Sequence, residues 1–482
     1  MRRVTTATAG PIASSASRAA AHAGLPAPQR YWSMATIVLG IALSVLDSSV
    51  VNLALPGMVR DLHSTASGAV WIVNAYQLAT LVLLLPLATL GDRLGYKRIY
   101  LAGVVVFTIA SAVASASTSL PMLAFARALQ GIGAAGIMSV NSALVRLTYP
   151  SELLGRGIAL NSVTVATSAV AGPVIAAAIL SVASWPWLFL VNIPLGIVLF
   201  FLGRRVLPVN ETRPLAGSLS AIDVILNAAM FVLLFLGADL LGSSAREPAT
   251  AQASVMIGAT LVLACAAVGV VHIGRQRKKE APLLPIDLLR IPVFRLSMAT
   301  SVCAFASQTM AYVTLPFLFL DAWHRTPGQA GTLIAFWPFG VICAATVAGR
   351  LIGRYPDGLL GAIGLGTLAT GLALLALAAG GSPGEGTWWR LAVCGVGFGL
   401  FQSPNNHTII TSAPHHRAGA ASGMLGTARL TGQSLGAALL AAVFAFASAH
   451  DVRGAEIALG LAALLAASAS VFSGKRVKHQ AH

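Results

Sequence analysis

Residues 33–56 read SMATIVLGIALSVLDSSVVNLALP, a long apolar run with one charged residue, Asp47, near its middle. A helix needs about 20 apolar residues to cross a bilayer core of ~30 Å. The run lacks the alternation of a barrel strand, and a helix satisfies its own backbone groups in lipid, so it reads as a transmembrane helix. Similar blocks recur along the chain at 69–90, 99–119, 121–145, 157–181, 186–203, 221–241 and 254–273. They continue at 296–320, 329–349, 358–380, 388–411, 421–447 and 454–473, giving fourteen expected spans with 33–55. The expected fold class is an all-α polytopic membrane protein: two six-helix bundles plus two extra transmembrane helices.

Composition excludes the other broad classes. The chain has 482 residues, 56% of them hydrophobic and 10% charged, against about 25% charged in a soluble domain. The net charge of +16 does not point to nucleic acid, because the basic residues sit at the ends of apolar blocks and form no basic helix or aromatic-interleaved patch. Of the 31 Lys and Arg, 24 fall on one side of the expected spans and 5 on the other, while Arg127 and Arg429 lie within spans. That bias places both termini in the cytoplasm. Cys265, Cys303, Cys343 and Cys394 each lie inside an apolar block at spacings that match no metal site and no disulfide framework. No ATP-binding loop, zinc-protease motif or hydrolase elbow occurs in the sequence.

The expected organisation is a disordered cytoplasmic tail (1–32), an N-terminal six-helix bundle (33–203), two extra spans with a cytoplasmic linker (204–295), a C-terminal six-helix bundle (296–473) and a short tail (474–482). The halves look alike. Gly91-Asp-Arg-Leu-Gly95-Tyr-Lys97-Arg98 and Gly349-Arg350-Leu-Ile-Gly353-Arg354 are glycine-punctuated basic turns at matching places, and Leu-Ala-Leu-Pro56 is echoed by Val-Thr-Leu-Pro316. Repeated halves mark carriers that rock one half against the other. A small-molecule transporter is therefore the reading, ahead of an intramembrane enzyme or a channel.

An acid at a helix centre costs ~2.5–3.5 kcal/mol to insert, and ionisable groups within a membrane are read first as functional. Asp47 is accordingly a proton-coupling candidate, with a structural ion pair as the alternative. Arg127, in Arg127-Ala-Leu-Gln130-Gly131-Ile-Gly133-Ala-Ala-Gly136, either snorkels to the surface or faces the bundle beside its small-residue stripe. Gly172-Pro173 breaks the fifth span. Candidate substrate-binding residues are Asn52, Trp71, Tyr76, Gln77, Gln130, Gln308, Tyr312, Phe336, Trp337, Gln402, Asn405 and Asn406, because polar and aromatic groups within spans need partners.

Taken in order, these motifs resemble the fourteen-helix drug:proton antiporters of the major facilitator superfamily over about 33–445. Leu46-Asp47-Ser-Ser-Val-Val-Asn52-Leu-Ala-Leu-Pro56 is similar to the first-helix motif of that group, and Trp187-Leu-Phe-Leu-Val-Asn192-Ile-Pro194 and Phe401-Gln-Ser-Pro404-Asn405-Asn406 are typical of it. The resemblance implies proton coupling by Asp47 and Arg127, and gating by Asp92, Arg93, Gly95, Lys97, Gly172 and Pro173. It also implies export of lipophilic or cationic drugs and toxic compounds in exchange for protons, or of one specific metabolite or antibiotic. The partners it implies are the small-molecule substrate, protons and the lipid bilayer, with no cofactor, metal, ATP or nucleic acid. The setting would be a monomer in the inner (plasma) membrane; a periplasmic adaptor and outer-membrane channel stay open. Three positions depart from the family pattern. Ala88 and Tyr96 imply a softer gate, and Ala176-Ala177 a less permissive kink.

Overall fold

Hydropathy decides most of the architecture, because each apolar block can satisfy its backbone only as a helix. The computed structural model describes residues 24–63, 66–210, 220–243, 251–277, 279, 282–380, 386–447 and 452–480. The expectations for 1–23, 211–219, 244–250 and 481–482 lie outside the described residues.

Among the described residues there are fourteen long helices and no strands. The first half holds α1 (Ala27–Asp61), α2 (Ala66–Leu94), α3 (Tyr96–Ser115) and α4 (Leu120–Thr148). It continues with α5 (Leu154–Leu180) and α6 (Asn192–Val206), the latter entered through one helical turn at Trp187–Leu190. A hairpin follows, α7 (Ala221–Ser243) and α8 (Ala251–Gln276). The second half holds α9 (Pro292–Phe317), α10 (Pro327–Leu351), α11 (Asp357–Ala379), α12 (Thr387–Ser412), α13 (Ala418–Phe446) and α14 (Val452–Gln480).

Eleven helices are long and apolar enough to cross a membrane, or twelve if α5, bent by 41° around Gly172-Pro173, counts as one span. α12 and α13, 26 and 29 residues long, fall outside that set. They carry Gln402, Asn405, Asn406 and His407, and Arg429 and Gln433.

With the turn at Trp187–Leu190 counted into α6, three boundaries differ from expectation by six residues or more, one of them the end of α1, at Asp61 rather than 55. α1 begins at Ala27 rather than 33, because its start docks on the end of α4: the Leu25 amide donates to the Thr148 carbonyl at 3.0 Å. α14 continues to Gln480 rather than 473. Its last turns are held by Arg476, which is fully buried and donates to Ser297 Oγ at 2.8 Å and Asn405 Oδ1 at 2.7 Å.

The two halves pack by one plan. In the first, α4 lies on α2, α3 and α1, α1 on α5 and α6, and α3 on α6. In the second, α12 lies on α10, α11 and α9, α9 on α13 and α14, and α11 on α14. Glycines fix the closest approaches at equivalent places. A Cβ on Gly133 would stand 2.7 Å from the Gly103 carbonyl, and one on Gly397 2.6 Å from the Gly364 carbonyl. Likewise Gly131 abuts the backbone of Tyr76, and Gly395 that of Trp337. Such contacts replace the hydrophobic drive that lipid does not supply.

The halves meet through α5 on α10 and α13 on α2, again an exchanged pair. The α7–α8 hairpin stands outside this plan. α7 lies against α2 and α13, with Asn227 Nδ2 donating to the Val82 carbonyl at 3.0 Å, while α8 is the most exposed of the apolar helices.

Candidate functional site

The mid-membrane acid does not stand alone. Asp47 on α1 forms a buried ion pair with Arg127 on α4, the two residues being 4% and 0% exposed. Asp47 Oδ1 accepts from Asn192 Nδ2 at 2.8 Å and from Gln130 Nε2 at 3.1 Å. Gln130 Oε1 accepts from Arg127 Nη1 at 2.8 Å, and its amide nitrogen also donates to Ser111 Oγ at 2.8 Å. Arg127 Nε donates to the Ile72 carbonyl at 3.1 Å, and its guanidinium lies 4.4 Å from the centroid of the Tyr76 ring. One cluster thus ties α1, α2, α3, α4 and α6 together.

A buried ion pair is costly to desolvate and survives when its remaining valences are filled. Here amides and a π face fill most of them; Arg127 Nη2 has no hydrogen-bond partner among the described residues. Arg127 therefore faces the bundle and does not snorkel. Helical spacing explains the geometry, since Arg127 and Gln130 are one turn apart on the same face of α4.

Beside this cluster, between the halves, lies a cavity of about 810 Å³. Of the substrate-binding candidates, Tyr76, Gln77, Gln308, Tyr312 and Gln402 line it. Tyr76 reaches both places, since its hydroxyl donates to the Ser44 carbonyl at 2.9 Å and its ring covers Arg127. Phe305 and Phe398 form an edge-to-face pair in the wall, centroids 5.4 Å apart. Arg429 and Gln433 on α13, to which the sequence reading gave no role, also face the space. The available signal was that Arg429, like Arg127, lies well inside an expected span rather than in its first turn, as Arg390 does.

The other candidates are elsewhere. Trp71 is 46% exposed and Phe336 37% exposed, and both sit on the outer surface, Phe336 beside Trp388 at 5.7 Å. Trp337 is fully buried behind Tyr312, ring centroids 4.9 Å apart, so it supports the wall from behind. Gln130 belongs to the Asp47 cluster. Asn405 is buried inside the second half, donating to Ser301 Oγ at 2.7 Å and accepting from Arg476. Asn406 lines a small side pocket of about 50 Å³. The side chains of Asn52 and Pro173 lie outside the described residues. Gly172 marks a close approach, for a Cβ there would run into Ser49 on α1.

At the end of the bundle where α1 begins and α14 finishes, polar contacts lock the halves together. Asp92 caps α13: Oδ1 accepts from the Gly419 amide at 2.8 Å and Oδ2 from the Ala420 amide at 3.0 Å. Tyr96 joins this contact. Its hydroxyl donates to Asp92 at 2.8 Å and accepts from the Gly419 amide at 3.1 Å. Ala88 is fully buried against Gly423, whose added Cβ would come within 2.6 Å of it. Both positions that depart from the family pattern are thus part of the contact. Gly95 makes the turn between α2 and α3 at φ 104°, which a side chain would strain. Arg93 and Lys97 flank it, partly exposed.

Arg146 on α4, read from sequence only as a topology charge, donates to the Ile410 and Ala413 carbonyls at the end of α12, at 2.7 and 2.9 Å. Arg417 holds the linker through Asp287 at 3.0 Å. At the opposite end the cavity reaches Val174, which is 68% exposed.

Two six-helix halves around a central cavity define a multi-pass membrane transporter rather than an enzyme. The chain belongs to the Major Facilitator Superfamily, whose family model matches residues 37–437. It is 48% identical over 454 residues to the uncharacterized transporter YebQ of Escherichia coli (strain K12), covering 94% of this chain and 97% of that one. It is 27% identical to the riboflavin transporter RibZ of Clostridioides difficile (strain 630), with 86% and 89% covered. It is 29% identical to the multidrug resistance protein Stp of Mycobacterium tuberculosis (strain CDC 1551 / Oshkosh), with 84% and 74% covered. Among solved structures, the human organic anion transporter MFSD10 (TETRAN) superposes with a TM-score of 0.67 at 16% identity, covering 93% of this chain and 100% of that one, which speaks to the fold alone.

Proposed function

We propose that this protein is a fourteen-span, proton-driven exporter of lipophilic small molecules, working by alternating access. Both termini would be cytoplasmic, in the inner membrane. The observation that carries the reading is the buried Asp47–Arg127 pair set directly beside the inter-half cavity. The titrating group and the cargo space share Tyr76 and the α1 segment that holds Ser44, Ser48 and Ser49.

With the terminal end locked and the cavity open at the other end, the conformation corresponds to one facing outward. A proton arriving at Asp47 would cancel one charge of the pair and leave Arg127 buried without its counter-ion. An uncompensated buried charge is costly, so protonation favours a rearrangement of α1 against α4. Return of the proton to the cytoplasm restores the pair. One charge crossing 100 mV supplies ~2.3 kcal/mol.

In reconstituted vesicles, Asp47→Asn is expected to abolish pH-gradient-driven efflux, at a cost in stability because Arg127 stays buried without its counter-ion, and Asp47→Glu to keep partial activity. Undiminished efflux by Asp47→Asn moves the coupling site elsewhere. For the topology, reporter fusions at 210–215 and 280–285 should read cytoplasmic and one at 244–248 external. An external reading at 280–285 sinks the fourteen-span model.

A further inference from the structure

The charge of the cavity bears on its cargo. Arg429 on α13 is the single charged side chain among the described residues lining it, and no Asp or Glu faces the space. No hydrogen bond or ion pair engages the Arg429 guanidinium among the described residues, whereas the other cations buried between helices are committed: Arg127 to Asp47, and Arg476 to Ser297, Ser473 and Asn405. Asp47, an acid close to the cavity, is already occupied by Arg127, Gln130 and Asn192. The rest of the lining supplies neutral amides, Gln77, Gln308, Gln402 and Gln433, set among aromatic and aliphatic walls.

We propose that the cavity selects amphipathic organic anions, the carboxylate or equivalent acid of the cargo pairing with Arg429 and its apolar body lying against Phe305, Phe398 and Tyr312. This rests on reading the cavity as the cargo site of an exporter, and it replaces the cationic cargo that the family resemblance implies. A guanidinium offers five donors in a fixed planar fork that matches a carboxylate two bonds at a time. It is also easier to strip of water than an ammonium group. Between apolar helix walls such a pairing is stronger than at an open surface, and a cationic ligand meets repulsion with no acid in the lining to offset it. The four amides serve a carbonyl or hydroxyl on the same molecule, as expected of an apolar pocket with a few polar groups that fix orientation. Exporting an anion while taking in a proton moves positive charge inward on both legs of the cycle. The membrane potential therefore acts twice for an anionic cargo and once for a neutral one.

The test uses three isosteric probes, 1-pyrenebutyrate, 1-pyrenebutanamide and 1-pyrenebutylamine. Each is titrated into the purified full-length protein in detergent at pH 7, with energy transfer from tryptophan as the readout. The wild type should bind the carboxylate at least about tenfold more tightly than the amine, with the amide between them. Arg429→Gln should bring the three within about threefold of one another, and Arg429→Lys should keep part of the preference while losing the bidentate geometry. Amine binding equal to or tighter than carboxylate binding in the wild type overturns the proposal. So does failure of the carboxylate to bind, or a carboxylate preference that survives in Arg429→Gln. Retained amide binding by Arg429→Gln certifies that the variant is folded. Because the assay has no gradient, its outcome is independent of proton coupling. Loss of the carboxylate preference overturns this proposal alone, and undiminished gradient-driven efflux by Asp47→Asn overturns the proton-driven reading alone, so the two readings fail separately.

Discussion

The two halves of the molecule share a packing plan and differ in what they bury at its centre. Asp47 stands nine residues before Pro56 on α1, and Ser307 stands nine residues before Pro316 on α9. Asp47 is bonded to Asn192 on α6, while Ser307 donates to the Ala462 carbonyl on α14 at 2.7 Å. Arg127 lies one turn before Gly131 on α4. Leu391, fully buried, lies one turn before Gly395 on α12. The same scaffold thus holds an ion pair in one half and, in the other, a neutral hydrogen bond and a buried leucine at the matching places. The close helix contacts depend on the glycines and not on the charges, so the charged cluster is free to serve a different purpose. On the proposed function, proton coupling belongs to the first half, while the second lines the cavity through α9, α10, α12 and α13.

The strongest way to break that comparison is to swap its centres. Asp47→Asn should lower pH-gradient-driven efflux by about a hundredfold or more, as loss of the titrating group removes coupling outright. Ser307→Ala should lower it less than about threefold, because only one neutral hydrogen bond is lost. Equal losses in vesicle assays would erase the division of labour. Next, Arg127→Leu should destabilise the protein by about 3–5 kcal/mol, since it leaves Asp47 buried without its partner. The double variant Asp47→Asn/Arg127→Leu should recover most of that in thermal unfolding. If the double variant is no more stable than Arg127→Leu, the cost comes from packing and not from the orphaned charge.

Asp92→Asn sharpens the picture at the terminal end. Losing the negative charge at the start of α13 costs about 0.3–1 kcal/mol, up to about a fivefold shift in an equilibrium between closed and open ends. Cysteines placed at Ser142 and Ser422, whose backbone and side chain now touch at 3.2 Å, should be labelled faster in that variant by a reagent supplied from the terminal side. Unchanged labelling would reduce Asp92 to a topology signal. The smallest expected difference is between halves: Gly133→Ala and Gly397→Ala should each cost about 1–3 kcal/mol through overpacking. Melting temperatures that drop for one and not the other would show that the halves are not equivalent as scaffolds.

The sequence by itself determined the helices, their order and the identity of the coupling candidates. Long apolar blocks have one backbone solution in lipid, and a charge inside them is too costly to be incidental. It marked Asp47 and Arg127 as unusual, because each puts a charge inside an apolar block, while Asp92 entered only through the family resemblance. What faces the cavity was not legible in the same way. Tyr76 and Gln77 line it while Trp71, on the same helix, faces outward. Asn405 is locked against Arg476 while Gln402, one turn away, lines the space. Residues around a helix are told apart by the rotation and tilt of that helix against its neighbours. In a membrane both faces of a span are apolar, so hydrophobic periodicity carries little of that information. Only the glycine-set contacts between helices fixed which polar groups meet each other and which are left open, as Arg429 is, to meet a ligand.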